Sequence, residues 1–191
     1  MIFMMPGRLL AAFVTMTLLI ILLFTIQFAH CATGGEAVKK MSAEEWLSKG
    51  YVYEEMGNSR AAVRAYTQAI MINPEYADAY SNRGISYTEL EEFRAAIRDF
   101  NMAIQLNPGE AKYYFNRGIA YGKCEEYHLA MVDFDRAIAI NRHYAAAYFW
   151  SGIIQSMYGD AKTGREKVKV SARLGYERAQ TYLKTREVKW N

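Results

Sequence analysis

Apolar residues in the middle of the chain fall into pairs of short runs, and each run has the spacing of one helix face. The first run of one pair contains Tyr80, Gly84 and Tyr87, and the second contains Ala96, Phe100 and Ala103. Steps of three and four residues place these side chains on one side of an α-helix. The polar pair Glu91-Glu92 lies between the runs. The pattern therefore predicts two consecutive helices joined by a short turn.

The pair of runs occurs three times at a constant separation of 34 residues, so that Gly84 has counterparts at Gly50 and Gly118. Such a fixed period is typical of a helical repeat array. Small residues recur where the two helices of a unit are expected to cross, and a larger side chain there would overpack the crossing at a cost of about 1–3 kcal/mol. The predicted packing positions are Gly50, Ala62, Ala69, Gly84, Ala96, Ala103, Gly118, Ala130, Ala137 and Gly152.

Local signals indicate where the units begin and end. Ser42 followed by Glu45 is typical of a capping box and predicts the start of the first helix. Asn73-Pro74 and Asn107-Pro108 predict helix ends, because proline excludes the preceding residue from the α region. The third unit has Asn141-Arg142 at the same place, so its closing turn lacks this signal.

These units resemble the tetratricopeptide repeat. The first unit carries the pattern as Trp46-x2-Lys49-Gly50-x2-Tyr53, Ala62-x3-Tyr66, Ala69 and Pro74. The resemblance covers residues 43–76, 77–110 and 111–144, which are three complete repeats. It implies an all-α fold, a right-handed α-solenoid of antiparallel helix pairs. In this family the first helix of each pair lines a concave groove that holds partner peptides.

The repeat pattern weakens after the third unit. Gly152 keeps the phase of a fourth unit, whereas Gly164 departs from it. A repeat array needs an atypical polar element over its exposed apolar end. We therefore predict that residues 145–188 form a degenerate fourth repeat followed by a C-terminal capping helix at 177–188. The apolar side of that last helix contains Ala179, Tyr182 and Leu183.

Residues 1–32 have the composition of a signal peptide or of a transmembrane signal-anchor of bacterial type. Arg8 precedes the apolar run Leu9–Phe28, which as a helix would span about 30 Å, the thickness of a bilayer core. Small residues after the run suit cleavage, whereas the length of the run favours an anchor. A linker follows at residues 33–42. The first alternative predicts a secreted or periplasmic protein, and the second predicts repeats held on the periplasmic side of the membrane by residues 9–28.

The charge of the chain is small but unevenly distributed. Its formal net charge is +3, which is too low to indicate binding to nucleic acid. Residues 43–110 contain six basic and eleven acidic side chains, whereas residues 111–191 contain fourteen and eight. The array is therefore acidic in its first half and basic in its second. With 52% apolar and 23% charged residues, the chain does not have the composition of a disordered protein.

No combination of residues predicts catalysis. Cys31 and Cys124 are far apart along the chain, and Cys124 occupies the position of the apolar Met56 and Leu90 in the other units. His128 has no cysteine or carboxylate at metal-ligand spacing. Neither a glycine-rich phosphate loop nor a serine nucleophile motif is present. We therefore expect a non-enzymatic protein without a metal, a cofactor or a small-molecule substrate.

Two pairs of opposite charge recur at a spacing of 16 residues, Arg83 with Asp99 and Arg117 with Asp133. One interpretation is an ion pair that bridges neighbouring helices, and such a pair contributes about 0–1 kcal/mol when it is exposed. The other interpretation makes the arginines groove donors for an acidic partner.

The resemblance also implies which residues line the groove. They are Leu47, Tyr51, Asp78, Ser81, Asn82, Ile85, Glu89, Lys112, Phe115, Asn116, Ile119, Lys123, Phe149 and Ile153. Some family members hold a C-terminal carboxylate with a clamp of basic residues and asparagines. Asn82 and Lys112 match that clamp, whereas Leu47, Tyr51 and Asn116 do not. The two asparagines could bond a peptide backbone or an adjacent helix.

The function implied by the resemblance is a scaffold that holds an extended segment of a protein or peptide partner. The mixed lining of the groove suggests a segment with apolar side chains and charges of both signs. The alternative is a structural subunit of a membrane-associated complex, in which the repeats pack against one another in an oligomer.

Overall fold

The computed structural model describes residues 40–187, without the side chains of the last two of these. This part of the chain belongs to one compact unit, Ser42–Asn191. It contains nine α-helices and no strand. The helices are α1 (Ala43–Glu55), α2 (Ser59–Ile72), α3 (Ala77–Glu89), α4 (Phe93–Leu106), α5 (Ala111–Lys123), α6 (Tyr127–Ile140), α7 (Ala145–Met157), α8 (Ala161–Arg173) and α9 (Glu177–Glu187).

Each described helix packs against the helices that precede and follow it in the chain. The closest packing is within the pairs α1/α2, α3/α4, α5/α6 and α7/α8, and α9 packs on α8. This arrangement confirms the predicted all-α solenoid of helix pairs with a C-terminal capping helix. The predicted signal or anchor segment at residues 1–32 lies outside the described residues, as does most of the linker. Among residues 40–187, no helix combines the length and the apolar character needed to cross a membrane.

The capping box predicted for the first helix is present. The Ser42 amide donates to the Glu45 carboxylate at 2.8 Å, and the Glu45 amide donates to the Ser42 hydroxyl at 3.2 Å. These bonds satisfy two backbone donors that the first turn of a helix leaves free. Helix α2 begins in a related way, because the Asn58 side chain accepts a hydrogen bond from the Ala61 amide at 3.1 Å.

Helices α2 and α4 end at the residues before Asn73 and Asn107, as the Asn-Pro pairs predicted. Helix α6 ends in the same way before Asn141, although no proline follows. All three asparagines accept a hydrogen bond from the backbone amide two residues later, at 2.9 Å from His143 in the third unit. This side-chain turn competes with the helix, so asparagine is sufficient to close the unit without proline.

The turn inside each unit contains one residue with a positive φ. The angle is 69° at Gly57, 61° at Glu91, 63° at Glu125 and 99° at Gly159. Glycine adopts this left-handed conformation without steric cost, whereas a side chain with a Cβ does not. The second and third units therefore hold a glutamate in a strained backbone conformation.

The first three helix pairs pack a glycine against an aromatic ring. A Cβ on Gly84 would lie 2.8 Å from the Phe100 ring, and a Cβ on Gly118 would lie 2.8 Å from the Phe134 ring. Gly50 lies against the Tyr66 ring in the same way. The alanines predicted at the crossings are each 0% exposed, and they are Ala62, Ala69, Ala96, Ala103, Ala130 and Ala137.

The fourth helix pair crosses backbone to backbone. Val168 replaces the aromatic ring, and a Cβ on Gly152 would lie 2.6 Å from the Gly164 carbonyl oxygen. Gly164 is buried at the position that Ala130 takes in the third unit. The interpretation of Gly164 as a departure from the repeat is therefore wrong. The smaller Val168 lets the two helices approach, and only glycine then fits between them.

Helix α9 covers the end of the array. Ala179 is 0% exposed and packs with Phe149 and Val168, and Tyr182 and Leu183 contact the same cluster. These are the residues that were predicted to lie on one side of the capping helix.

Candidate peptide-binding groove

The predicted groove residues differ widely in exposure. The exposed ones are Tyr51, Glu89, Lys112 and Lys123. The partly buried ones are Leu47, Asp78, Ile85, Phe115, Asn116, Ile119 and Ile153. The buried ones are Ser81, Asn82 and Phe149. The first two groups, together with Asn82, are the surface that a partner could reach at this face of the first helices.

Tyr51 and Asn82 connect the first unit to the second. The Asn82 side-chain amide donates to the Tyr51 hydroxyl at 2.8 Å, while the Tyr51 side chain remains 43% exposed. This bond corresponds to the interpretation in which Asn82 contacts an adjacent helix. It also holds the tyrosine ring upright, because the hydroxyl is fixed at its far end.

Asn116 is the counterpart of Asn82 in the next unit, but its surroundings are different. Ile85 takes the position of Tyr51 and has no polar atom in its side chain. Within residues 40–187, the Asn116 side chain forms no hydrogen bond. A primary amide has two donors and an acceptor, so Asn116 can bond both sides of a peptide group.

Lys112 is engaged by Asp78. The Asp78 carboxylate accepts from the Tyr113 hydroxyl at 2.7 Å and from the Lys112 ammonium at 3.0 Å. Partial burial opposes ionisation of Asp78, but these two hydrogen bonds and the charge of Lys112 lower its pKa. The pKa of Lys112 is raised by the same partner, against the effect of burial. The positive charge of the lysine is thus already compensated within the chain.

The apolar part of the groove rests on the core. Phe115 lies between two rings, with centroids 5.5 Å from Phe134 and 4.8 Å from Tyr144. Ile119 packs against the same cluster, and Ile85 packs against Phe100. These side chains are positioned by the packing beneath them, so the apolar wall is formed before any partner binds.

Two predicted groove residues are corrected by their burial. Phe149 is 5% exposed, because Tyr176 and Tyr182 pack against its ring at centroid distances of 5.5 and 5.9 Å. The capping segment therefore occupies the place where a ligand would touch Phe149. Ser81 is 1% exposed, and its hydroxyl has no hydrogen-bond partner. Neither side chain is available to a partner.

Carboxylates border the groove at the junction of the first two units. Glu54 accepts from the Ser86 hydroxyl at 3.0 Å, and Glu89 accepts from the Ser59 hydroxyl at 2.6 Å. Burial raises the pKa of Glu54, although hydrogen bonds from neighbouring hydroxyls oppose the shift. This side of the groove is acidic and suits basic or polar positions of a ligand.

The repeated arginines do not face a ligand. Arg83 pairs with both oxygens of Asp99 at 2.7 and 2.8 Å, and Arg117 pairs with Asp133 at 2.8 and 2.7 Å. The ion-pair interpretation is therefore confirmed, and the groove-donor interpretation is wrong. The assumption of an exposed pair is wrong too, since the two aspartates are 6% and 3% exposed.

Each arginine has a further partner that sequence reasoning missed. The remaining nitrogen of Arg83 donates to Thr67 at 3.1 Å, and that of Arg117 donates to Asn101 at 2.6 Å. Both acceptors lie on the second helix of the preceding unit. The constant spacing of 16 residues between acceptor and arginine was the signal in the sequence that could have revealed them.

The described residues also show where the other candidates for chemistry lie. Cys124 is partly buried at the end of α5 and forms no disulfide. His128 and His143 are exposed. In the part of the chain that the structure describes, no group of three or more histidine, cysteine, aspartate or glutamate side chains could hold a metal ion.

Comparison with known proteins agrees with the geometry. The family description "Tetratricopeptide repeat" matches residues 77–110 and 111–144, and the description "TPR repeat" matches residues 50–90. The chain is a tetratricopeptide repeat protein. The two descriptions together include most of the first unit and all of the second and third.

Solved structures of this family have the same fold. The crystal structure of MamA superposes with a TM-score of 0.66 at 21% identity, covering 81% of this chain and 86% of that one. The first repeat domain of Spaghetti (RPAP3), bound to the HSP90 peptide SRMEEVD, gives 0.60 at 26% identity, with coverage of 61% and 95%. The Arabidopsis OM64 domain gives 0.60 at 27%, with coverage of 61% and 96%. None of the curated proteins compared with the chain matches it.

Proposed function

We propose that this tetratricopeptide repeat protein is a non-catalytic scaffold that holds an extended segment of a partner protein against the first helices of its repeats. The observation that carries the proposal is the position of Asn116. Its amide has no partner among the described residues and lies beside the preformed apolar wall of Phe115 and Ile119. A backbone amide bound by Asn116 would place the neighbouring side chains of the ligand on that wall.

The ligand is expected to differ from a C-terminal carboxylate. The similar domain of Spaghetti binds the HSP90 peptide SRMEEVD, which ends in an acidic group. Here Lys112 is already paired with Asp78, and Asn82 is bonded to Tyr51. A terminal carboxylate would have to displace both internal partners. An internal segment with apolar side chains and a basic residue fits the lining better, because Glu54 and Glu89 border the groove.

The proposal includes a location at the membrane. The support is the sequence of residues 9–28, which is long and apolar enough for a bilayer-spanning helix. The basic Arg8 before this run favours a cytoplasmic N-terminus and repeats on the far side. N-terminal sequencing of the mature protein tests this part. A start at residue 1 supports the anchor, whereas a start between 30 and 33 supports a cleaved signal peptide.

Site-specific photo-crosslinking in cells tests the groove. A photoreactive amino acid is placed at Tyr51 or Lys123 on the groove, and at Met71 or Val132 as exposed controls on second helices. We expect one partner to be captured from the groove positions and not from the controls. Asn116→Ala should reduce that capture. Equal capture from all four positions, or none from the groove, would contradict the proposal.

The same experiment separates the scaffold from an assembly subunit. If the repeats pack in an oligomer, the captured protein is a second copy of this chain, and the adduct has twice its mass. A partner of different sequence supports the scaffold instead.

A further inference from the structure

The second and third units bury an ion pair between two aromatic rings. In the second unit, the Arg83 guanidinium pairs with Asp99 and lies 5.6 Å from the Tyr80 ring and 5.9 Å from the Tyr87 ring. In the third unit, Arg117 pairs with Asp133 and lies 5.7 and 5.8 Å from the corresponding rings. A cation is thus held by a carboxylate and two aromatic faces in both.

The first unit keeps the rings and a cation but lacks the carboxylate. Lys49 takes the position of Arg83, and Ala65 takes the position of Asp99. Trp46 and Tyr53 stand where the two tyrosines stand in the second unit, and the Lys49 ammonium lies 4.8 Å from the Trp46 ring.

A pocket of 420 Å³ opens at this place in the first unit. Its lining contains Trp46, Lys49, Tyr53, Ala61, Arg64, Ala65, Thr67 and Gln68. The walls are mostly apolar or aromatic, and two of the side chains are cationic. None of the lining residues belongs to the predicted groove.

The two cations of the pocket lack a carboxylate within the chain. Among residues 40–187, neither Lys49 nor Arg64 forms an ion pair. Glu45, one helical turn before Lys49, accepts a hydrogen bond from the Ser42 amide. Lys49 is partly buried, so its charge is less well solvated than that of a fully exposed lysine.

The fourth unit shows that a cation at this position is otherwise paired even when the residues change. Ser151 replaces the arginine, and Lys167 on the second helix supplies the positive charge. Its ammonium lies 2.8 Å from Asp135 and 2.8 Å from the Ser151 hydroxyl. Three units thus satisfy the cation with an aspartate, and the first unit does not.

We propose that the pocket of the first unit binds an acidic side chain, glutamate or aspartate, from a segment of a partner protein. The carboxylate takes the place that Asp99 and Asp133 fill in the next two units and bonds Lys49 and Arg64. The stem of that side chain packs against Trp46 and Tyr53. A segment bound here lies on different residues from one bound in the groove, so the inference does not depend on the function proposed above.

Titration of the full-length chain in detergent micelles tests the site. The ¹H–¹⁵N signal of the Trp46 indole, assigned with Trp46→Phe, reports binding. The probes are two blocked pentapeptides that differ only in a central glutamate or glutamine. Because a hydrogen bond to a charged group is stronger than a neutral one, we expect the glutamate peptide to bind about tenfold more tightly. The difference should shrink in high salt.

Two substitutions remove the site in opposite ways. Ala65→Asp supplies the missing carboxylate from within the chain, as in the second and third units, and should abolish binding while leaving the fold intact. Lys49→Met removes the cation and should abolish the preference for glutamate over glutamine. The matched control is Lys162→Met on the exposed face of α8, which should bind as the unchanged chain does. Asn116→Ala in the groove should also leave this titration unchanged.

Equal affinity for the two peptides would overturn the proposal. So would undiminished binding by Ala65→Asp, and if that variant does not fold, Lys49→Met decides alone. Titration with acetate and with succinate covers a different source of the carboxylate. Affinity for either ion equal to that for the peptide would show a site for small carboxylates and would overturn the assignment to a partner segment.

Discussion

Gly84 lies under the ring of Phe100, so close that a Cβ on the glycine would stand 2.8 Å from the nearest ring carbon. The glycine is on the first helix of its unit and the phenylalanine is on the second. The same contact joins Gly118 to Phe134 one unit later. The approach of the two helices, and with it the position of every groove side chain on the first helix, depends on the absence of a side chain at these glycines.

Gly84→Ala should therefore destabilise the protein. The added methyl group must displace the fully buried Phe100 ring, and overpacking of this kind costs about 1–3 kcal/mol. Urea denaturation followed by circular dichroism measures the change. Gly122→Ala on α5 is the matched control, because a Cβ there meets nothing within 4 Å. Alanine is the better helix former, so the control should gain up to about 1 kcal/mol.

Glu91→Gly should stabilise the protein. Glu91 has a φ of 61°, and relief of that left-handed conformation is worth about 1 kcal/mol. The first and fourth units already use glycine at this position. Glu92 has a φ of −84°, so Glu92→Gly should bring no gain in the midpoint of thermal unfolding. A stabilisation by both substitutions would point to charge rather than to backbone strain.

The Arg117–Asp133 pair should show strong coupling. Asp133 is 3% exposed, so Asp133→Ala leaves a half-buried guanidinium without its carboxylate and should cost about 3 kcal/mol. The double variant Arg117→Leu, Asp133→Ala should lose less than the sum of the single variants, because no unpaired charge remains. Additive losses in a double-mutant cycle of unfolding free energies would show that the two side chains act independently.

Glu54 should make stability depend on pH. Burial raises its pKa above the ordinary value of 4.5, so the folded protein binds a proton more tightly than the unfolded chain does. The free energy of unfolding should then fall as the pH rises from 4.5 through the raised pKa, because the folded state must accept a buried charge. Glu54→Gln should remove this contribution and flatten the curve in that interval. A curve unchanged by the substitution would show that Glu54 does not titrate there.

Much of the fold followed from local rules. The spacing of three and four residues, the capping box at Ser42 and the asparagines at the helix ends act within a few residues of chain, so the sequence is enough to find them. The fixed period then predicted the solenoid, because each unit has one apolar side that another unit must cover.

The groove could be predicted less well, because exposure depends on residues far away in the sequence. Phe149 has the right position in its unit, yet it is buried by Tyr176 and Tyr182 from the capping segment. Lys112 matches a known clamp position, yet Asp78 from the preceding unit compensates its charge. A repeat pattern records the phase of a residue and not the neighbours that reach it.

The chain itself, read without coordinates, was sufficient for the family, the number of complete units and the helix ends, since these depend on periodic and short-range preferences. Burial, charge compensation and the open pocket beside Lys49 required the packed structure. They depend on which side chains from adjacent units meet in space, and a change from Asp99 to Ala65 leaves the helix pattern intact while it removes the internal partner of a cation.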